Sequence, residues 1–297
     1  AEIKARDGLT LPSYLTLPKG SDINGDGKAD KRVPMVLLVH GGPWTRDVYG
    51  YDAYHQWLAN RGYAVLSVNF RASSGFGKKF LTAGNKQWGL AMHTDLLDAV
   101  EWAVKQGITS ADQVAIMGGS YGGYATLAAL AFTPTAFSCG VAIVGPSNLE
   151  TLLATIPPYW EAGKKQMYSR MGDPTTIEGR EILRAASPLY KANQIIRPLL
   201  IGQGANDPRV KQAESDQIVA AMQTKNIPVT YVLYPDEGHG FVKPNNRISF
   251  NAIAEAFLGN CLGGRVEPLG GTLQKSTAQI LNGAMYIPGL AEAAVKK

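Results

Sequence analysis

Hydrophobic and polar positions alternate along this chain on two length scales. From residue 34 onward, short continuous apolar runs rich in β-branched residues give way to longer stretches where apolar residues recur every three or four positions. The runs "VPMVLLVH" (33–40), "YAVLSVNF" (63–70), "DQVAIMGG" (112–119), "SCGVAIVG" (138–145), "RPLLIGQG" (197–204) and "VTYVLYP" (229–235) predict buried strands. Between and after them, "YDAYHQWLANRG" (51–62), "HTDLLDAVEWAVKQG" (93–107), "YATLAALAF" (124–132), "KQAESDQIVAAMQTKN" (211–226) and "RISFNAIAEAFLGNCLG" (247–263) predict helices. In the second of these Leu96, Leu97, Val100 and Val104 share one face, and Gly107 suits the C-terminal cap. Strands that are apolar without alternation are covered on both faces. The pattern therefore predicts an α/β chain with a mostly parallel, doubly wound sheet.

Two segments stand outside the alternation. Residues 146–196 are too long for a connection between core strands, and predict a cap-like insertion above the carboxyl ends of the sheet, over a substrate. The stretch after Gly264 (265–297) has weak periodicity, and is expected to pack on the surface or to be mobile.

Composition narrows the function classes. Of 297 residues 45% are hydrophobic and 18% charged, which suits a globular chain with a large core. The 29 Lys and Arg outnumber the 24 Asp and Glu, but they are scattered rather than striped. Nucleic-acid binding, which needs a basic stripe to displace counterions, is not indicated. No apolar stretch is long enough to span a bilayer and no signal peptide is visible. Two compartments therefore stay open: the cytoplasm, and the periplasm or the outside of the cell. Cys139 and Cys261 are read as two buried thiols, a single bridge in an oxidising compartment being the lesser alternative.

The chemistry enters at "GGSYGG" (118–123), where a predicted strand turns into a predicted helix. Gly118-Gly119-Ser120-Tyr121-Gly122 is a G-x-S-x-G turn. A sharp strand-to-helix turn needs glycine at its flanks and projects the serine hydroxyl at the top of the sheet. A phosphate loop would carry a Lys after the glycines, and none is present. A serine nucleophile needs a base, and the base needs an orienting acid. In an α/β hydrolase these follow in the order Ser, acid, His, from loops after later strands. Asp207 follows the strand at 197–204, and His239, flanked by Gly238 and Gly240, follows the last strand. Asp236 and Glu237 are rival acids expected to face water. The backbone N–H groups of Tyr121 and of Gly42, in the "HGGP" turn after the first core strand, are the candidate oxyanion donors. His40 of that turn is expected to be a structural hydrogen-bonder.

With these residues in place the sequence resembles the prolyl oligopeptidase family of serine peptidases, and within it the acylaminoacyl-peptidase-like branch. The likeness runs from about Ile3 to Gly264 through "DGLTLPSYLTLP", "LLVHGGPW", "NRGYAVLSVNFRASSGFGKKF", "GGSYGGYATL", "GQGANDPRVKQAESDQIV" and "PDEGHGF". It implies an α/β-hydrolase catalytic domain (1–264) with nucleophile Ser120, acid Asp207 and base His239, and an oxyanion hole from Gly42 and Tyr121. It also implies that Arg209 grips a substrate carbonyl, and that Val210, Tyr159 and Trp160 line the specificity pocket. Peptides are the implied substrates and no cofactor is required; oligomers of the family suggest, by analogy, a homo-oligomer. Family members usually carry an upstream β-propeller, whereas some thirty residues precede the first core strand here and the chain begins with Ala. A catalytic domain of a longer enzyme, or a processed form, is expected.

One further stretch resembles a calcium loop: Asp22, Asn24, Asp26 and Asp30 are spaced like EF-hand ligands, but Val33 stands where the closing Glu belongs. A solvated Asx-rich turn is the favoured reading, with a structural calcium as its rival. The rivals for the function are a carboxylesterase acting on small acyl or aryl esters, and a catalytically silent binding module on the same fold.

Overall fold

The structure, a computed structural model, describes residues 1–295. Among them nine strands form one sheet in the order β1-β2-β4-β3-β5-β6-β7-β8-β9. These are β1 (Glu2–Lys4), β2 (Thr10–Thr16), β3 (Met35–Val39), β4 (Ala64–Val68), β5 (Val114–Gly119), β6 (Cys139–Ile143), β7 (Leu199–Gly204), β8 (Val229–Tyr234) and β9 (Gln279–Asn282). The six strands from β3 to β8 pair in parallel, while β2 on β4 and β9 on β8 are antiparallel. The helices are α1 (Ala53–Asn60), α2 (Lys78–Thr82), α3 (Ala91–Lys105), α4 (Tyr121–Phe132), α5 (Leu149–Ala154), α6 (Lys164–Met171), α7 (Ile177–Ala185), α8 (Gln212–Thr224), α9 (Pro244–Leu262) and α10 (Leu290–Val295).

Every residue of β4, β6, β7 and β8 is buried, because helices cover both faces of the sheet. Alternate residues serve different cores: Leu37, Leu66 and Ile116 join α3, α4 and α8 on one face, and Val36, Val65 and Ala115 join α1 and α9 on the other. Helix α4 is buried from Tyr121 to Ala131, which is why its sequence is apolar all round. The connection from β6 to β7 is helical, with α5, α6 and α7 and two short 3₁₀ turns, Pro158–Gly163 and Pro188–Gln194.

Three features depart from the pattern-based reading. The stretch after Gly264 is built into the sheet: β9 closes its edge, and Leu269, Leu273, Ile287 and Leu290 are buried in the α9-side core. Their spacing follows turns rather than a helix or strand, so no periodicity marks them. The lead segment contains a hairpin, β1–β2, whose Ser13 sits opposite Val68 of β4. Finally, Cys139 and Cys261 are a disulfide rather than two thiols. Sheet winding brings the start of β6 and the end of α9 to a Cα separation of 6.5 Å across 122 residues of chain, a proximity invisible in the sequence.

Candidate active site

Ser120 sits between β5 and α4 with φ 57° and ψ −117°, a conformation that costs a non-glycine residue of order 1–3 kcal/mol and persists only where the surroundings impose it. The strands and glycines impose it here. The Ser120 N–H donates to the Ile143 carbonyl of β6 at 2.9 Å. A Cβ on Gly122 would lie 2.1 Å from the Val39 carbonyl oxygen of β3, so the turn closes only on glycine. Ser120 occupies the N-cap position, yet its side chain makes no capping bond. The bland role for a serine at a helix start is thereby not taken up.

Asp207 and His239 stand on adjoining loops. Asp207 is buried after β7; its Oδ1 accepts from the N–H groups of Arg209 (2.8 Å) and Val210 (2.9 Å), and its Oδ2 accepts from His239 Nδ1 at 2.7 Å. The bond leaves His239 Nε2 free of the acid. Ser120 and His239 line one cavity. Glu237 was expected to face water, and instead it is 3% exposed. Its carboxylate accepts from the N–H groups of Val242 (3.1 Å) and Lys243 (2.9 Å) and from Asn246 Nδ2 (2.9 Å), closing a ring of chain around His239. Its carbonyl accepts from the Asn206 N–H at 2.9 Å, which ties the loop of His239 to the loop of Asp207. Asp236 is half-buried and binds Lys243, Asn246 and Thr277.

The two candidate oxyanion donors converge with Ser120 on a second cavity. Tyr121 opens α4, where a backbone N–H has no intrahelical acceptor. Its ring is locked against Phe70 and Trp88, with centroids at 5.1 and 4.7 Å. Gly42 has φ 111°, and a Cβ there would lie 2.7 Å from the Trp44 nitrogen. His40 is held at both ring nitrogens. A carbonyl can only accept, so Nδ1–H donates to the Gly41 oxygen (2.7 Å), and Nε2 accepts from the Ser73 hydroxyl (2.9 Å). Burial pushes its pKa down to about 4, which keeps the ring neutral near pH 7.

This second cavity, about 330 Å³, is walled by Val210, Tyr159 and Trp160 from the sequence reading. It is also walled by Trp44, Trp88 and Met167, which that reading missed. Trp44 and Trp88 lie in loops and Met167 on α6, and no local pattern in the sequence gives them a shared wall. Arg209 is not in the lining; its guanidinium stands over the Trp160 ring at 5.7 Å. In the stretch that resembles a calcium loop, Asp22 accepts from the N–H groups of Gly25, Asp26 and Gly27, Asn24 and Asp26 accept from the N–H two residues on, and Asp30 accepts from the Ile23 N–H. These are the bonds of an Asx-rich turn. Among the described residues no group of three or more His, Cys, Asp or Glu is placed to hold a metal ion.

The sequence pattern of the prolyl oligopeptidase family matches residues 49–265. The chain belongs to that family. It is 68% identical over 292 residues to dipeptidyl aminopeptidase BIII of Pseudoxanthomonas mexicana, covering 98% of this chain and 42% of that protein. It is 53% identical over 282 residues to dipeptidyl peptidase family member 6 of Caenorhabditis elegans, covering 90% of this chain and 38% of that protein. The chain thus spans about two fifths of the length of these relatives. Among solved structures, a puromycin-hydrolysing peptidase of Mycobacterium tuberculosis superposes with a TM-score of 0.81 at 28% identity, over 90% of this chain and 40% of that one. The mostly parallel sheet and its helical cover are the α/β-hydrolase fold of such peptidases.

Proposed function

We propose that this chain is the catalytic part of a serine peptidase that hydrolyses peptides through an acyl-enzyme. The observation that carries the proposal is Ser120, held in a left-handed turn with its hydroxyl uncommitted, on a cavity shared with His239, whose other nitrogen is fixed by buried Asp207. Ser120 Oγ attacks the peptide carbonyl carbon while its proton passes to His239 Nε2. That proton then goes to the leaving nitrogen as the C–N bond breaks, and water reverses the sequence to free the acid. Asp207 fixes the Nδ1–H tautomer and stabilises the imidazolium; the N–H groups of Gly42 and Tyr121 hold the oxyanion. No cofactor enters this scheme.

The relatives' names favour a peptidase over an esterase, and among peptidases they favour removal of dipeptides from an amino terminus. The walls of the 330 Å³ cavity favour a large apolar or aromatic residue on the acyl side of the cut. A β-propeller ahead of this part of the protein would screen substrates by size, and assembly into a homo-oligomer is compatible with the same scheme. The Cys139–Cys261 bridge favours an oxidising compartment, periplasmic or extracellular. No helix among the described residues is long and apolar enough to cross a membrane.

Mass spectrometry of a mixed peptide library, digested in parallel by wild type and Ser120→Ala, tests the proposal. Serine-dependent loss of residues in pairs is the expected result, with the variant slower by about 10⁴-fold or more. Turnover of simple esters without any peptide cleavage would favour the esterase instead.

A further inference from the structure

Two cavities meet at the candidate nucleophile, and Ser120 is the one residue that lines both. They differ in what else they contain. The apolar cavity holds Gly42 and Tyr121 but not His239, whereas the other, about 350 Å³, holds His239 and His40 and is bordered by Asp47, Asp52, Tyr54 and Arg247. A general acid must stand beside the nitrogen it protonates. The leaving half of a peptide therefore lies on the His239 side, and the acyl side chain on the other.

The charges around the His239-side cavity are unevenly satisfied. Asp52 is committed as the N-cap of α1, where it accepts from the His55 N–H at 2.9 Å. Asp47 has a buried oxygen, Oδ2, with no hydrogen-bond partner, and burial beside Asp52 pushes its carboxyl up to about 7, so much of it is neutral near pH 7. Both histidine rings carry hydrogen bonds already described. Arg247 is different. It is exposed in the first turns of α9, a 19-residue helix with no acidic residue in its first turn, and its guanidinium has no ion pair or hydrogen bond among the described residues. The carboxylates of Glu237 and Asp236 stand at this helix end, but they are taken up by the N–H groups of Val242 and Lys243 and by the side chains of Lys243, Asn246 and Thr277, and neither bonds Arg247. Its charge is close enough to bear on Tyr54 across the cavity rim. An unpaired guanidinium on the rim of the leaving side is a receptor for a carboxylate.

We propose that the His239-side cavity is the leaving-group subsite, and that Arg247 binds the free C-terminal carboxylate of a leaving fragment one or two residues long. The proposal rests on the peptidase reading and adds a substrate class to it: short peptides with an unblocked carboxyl end. The volume, at the lower end of the ~300–1,000 Å³ of ligand pockets, suits a fragment of that size.

The experiment compares kcat/KM of the full-length protein for Ala-Phe-Ala-Ala as the free acid and as the C-terminal amide. Wild type is expected to cut the acid at least about tenfold faster, and the ratio should shrink as salt rises. Arg247→Gln should bring the ratio close to one, with Arg247→Lys between the two. Equal rates for acid and amide in wild type overturn the proposal while leaving the peptidase reading standing, and so does a ratio that survives in a folded Arg247→Gln protein. If that variant does not fold, the wild-type ratio and its salt response decide alone. Failure of wild type to cut either peptide while it turns over simple esters takes down the peptidase reading, and this proposal with it.

Discussion

The floor and the roof of the site are built differently. The floor consists of the loops after β5, β7 and β8, where Ser120, Asp207 and His239 are held by backbone hydrogen bonds to neighbouring strands and by the buried carboxylate of Glu237. The roof is the 146–196 insertion, whose 3₁₀ turn Pro158–Gly163 has no buried residue and whose α6 has only Met171 buried. Tyr159 in that turn is 58% exposed although it lines the apolar cavity. Groups that transfer a proton must be placed to a fraction of an ångström, so they sit where over-determined packing holds them. Groups that select side chains can sit on weakly packed chain. Changes in the floor should thus alter turnover of every substrate, and changes in the roof the choice among substrates.

The largest expected effect tests the floor. Glu237→Ala leaves two backbone N–H groups and an Asn246 amide without their acceptor, so kcat should fall ~10–100-fold for all substrates with KM little changed. Glu237→Gln, which keeps one acceptor, should recover part of the loss. A variant with a lower melting temperature but wild-type kcat would show that Glu237 only stabilises. Next comes the far end of the floor. Cys139→Ser with Cys261→Ser should cost roughly 2–5 kcal/mol of stability, read by urea denaturation, with kcat unchanged well below the melting temperature. A loss of activity in the folded protein would mean that the floor extends to the opposite ends of the strands.

A roof change should be milder and selective. Trp160→Ala removes a cavity wall and the ring under Arg209, so KM for peptides with an aromatic residue on the acyl side should rise about tenfold, and much less for those with Ala there. A uniform drop in kcat instead would break the contrast between floor and roof. The smallest effect concerns pH. Asp47, held near 7, keeps a proton in the folded protein that the unfolded chain releases near 3.8. Between those values the folded state binds more protons, so this group's contribution is full at low pH and is lost as pH rises through 7. Asp47→Asn should raise the melting temperature at pH 8 by several degrees and converge with wild type near pH 4. Parallel curves would place Asp47 in a wetter setting.

The floor was also the legible part of the sequence. Strands β3 to β8 are short, mostly apolar runs, and the three loops that carry Ser120, Asp207 and His239 are marked by glycines. The rest depends on contacts distant in sequence. Glu237 looks like any acid in a polar loop until Val242, Lys243 and Asn246 fold over it. β9 is four residues long, and its register on β8 is broken by a bulge, so it has too few positions for a period. Trp44 and Met167 reach the apolar cavity from loops and helices whose local pattern says nothing of a shared wall.

The bridge between Cys139 and Cys261 closes a covalent ring that contains the whole roof, Asp207 and His239, and leaves Ser120 outside it. A foreign protease that cuts the exposed turn at 158–163 therefore opens the ring without dividing the molecule. Ser120 stays tethered to Asp207 and His239, and the nicked chain separates into two pieces only after reduction.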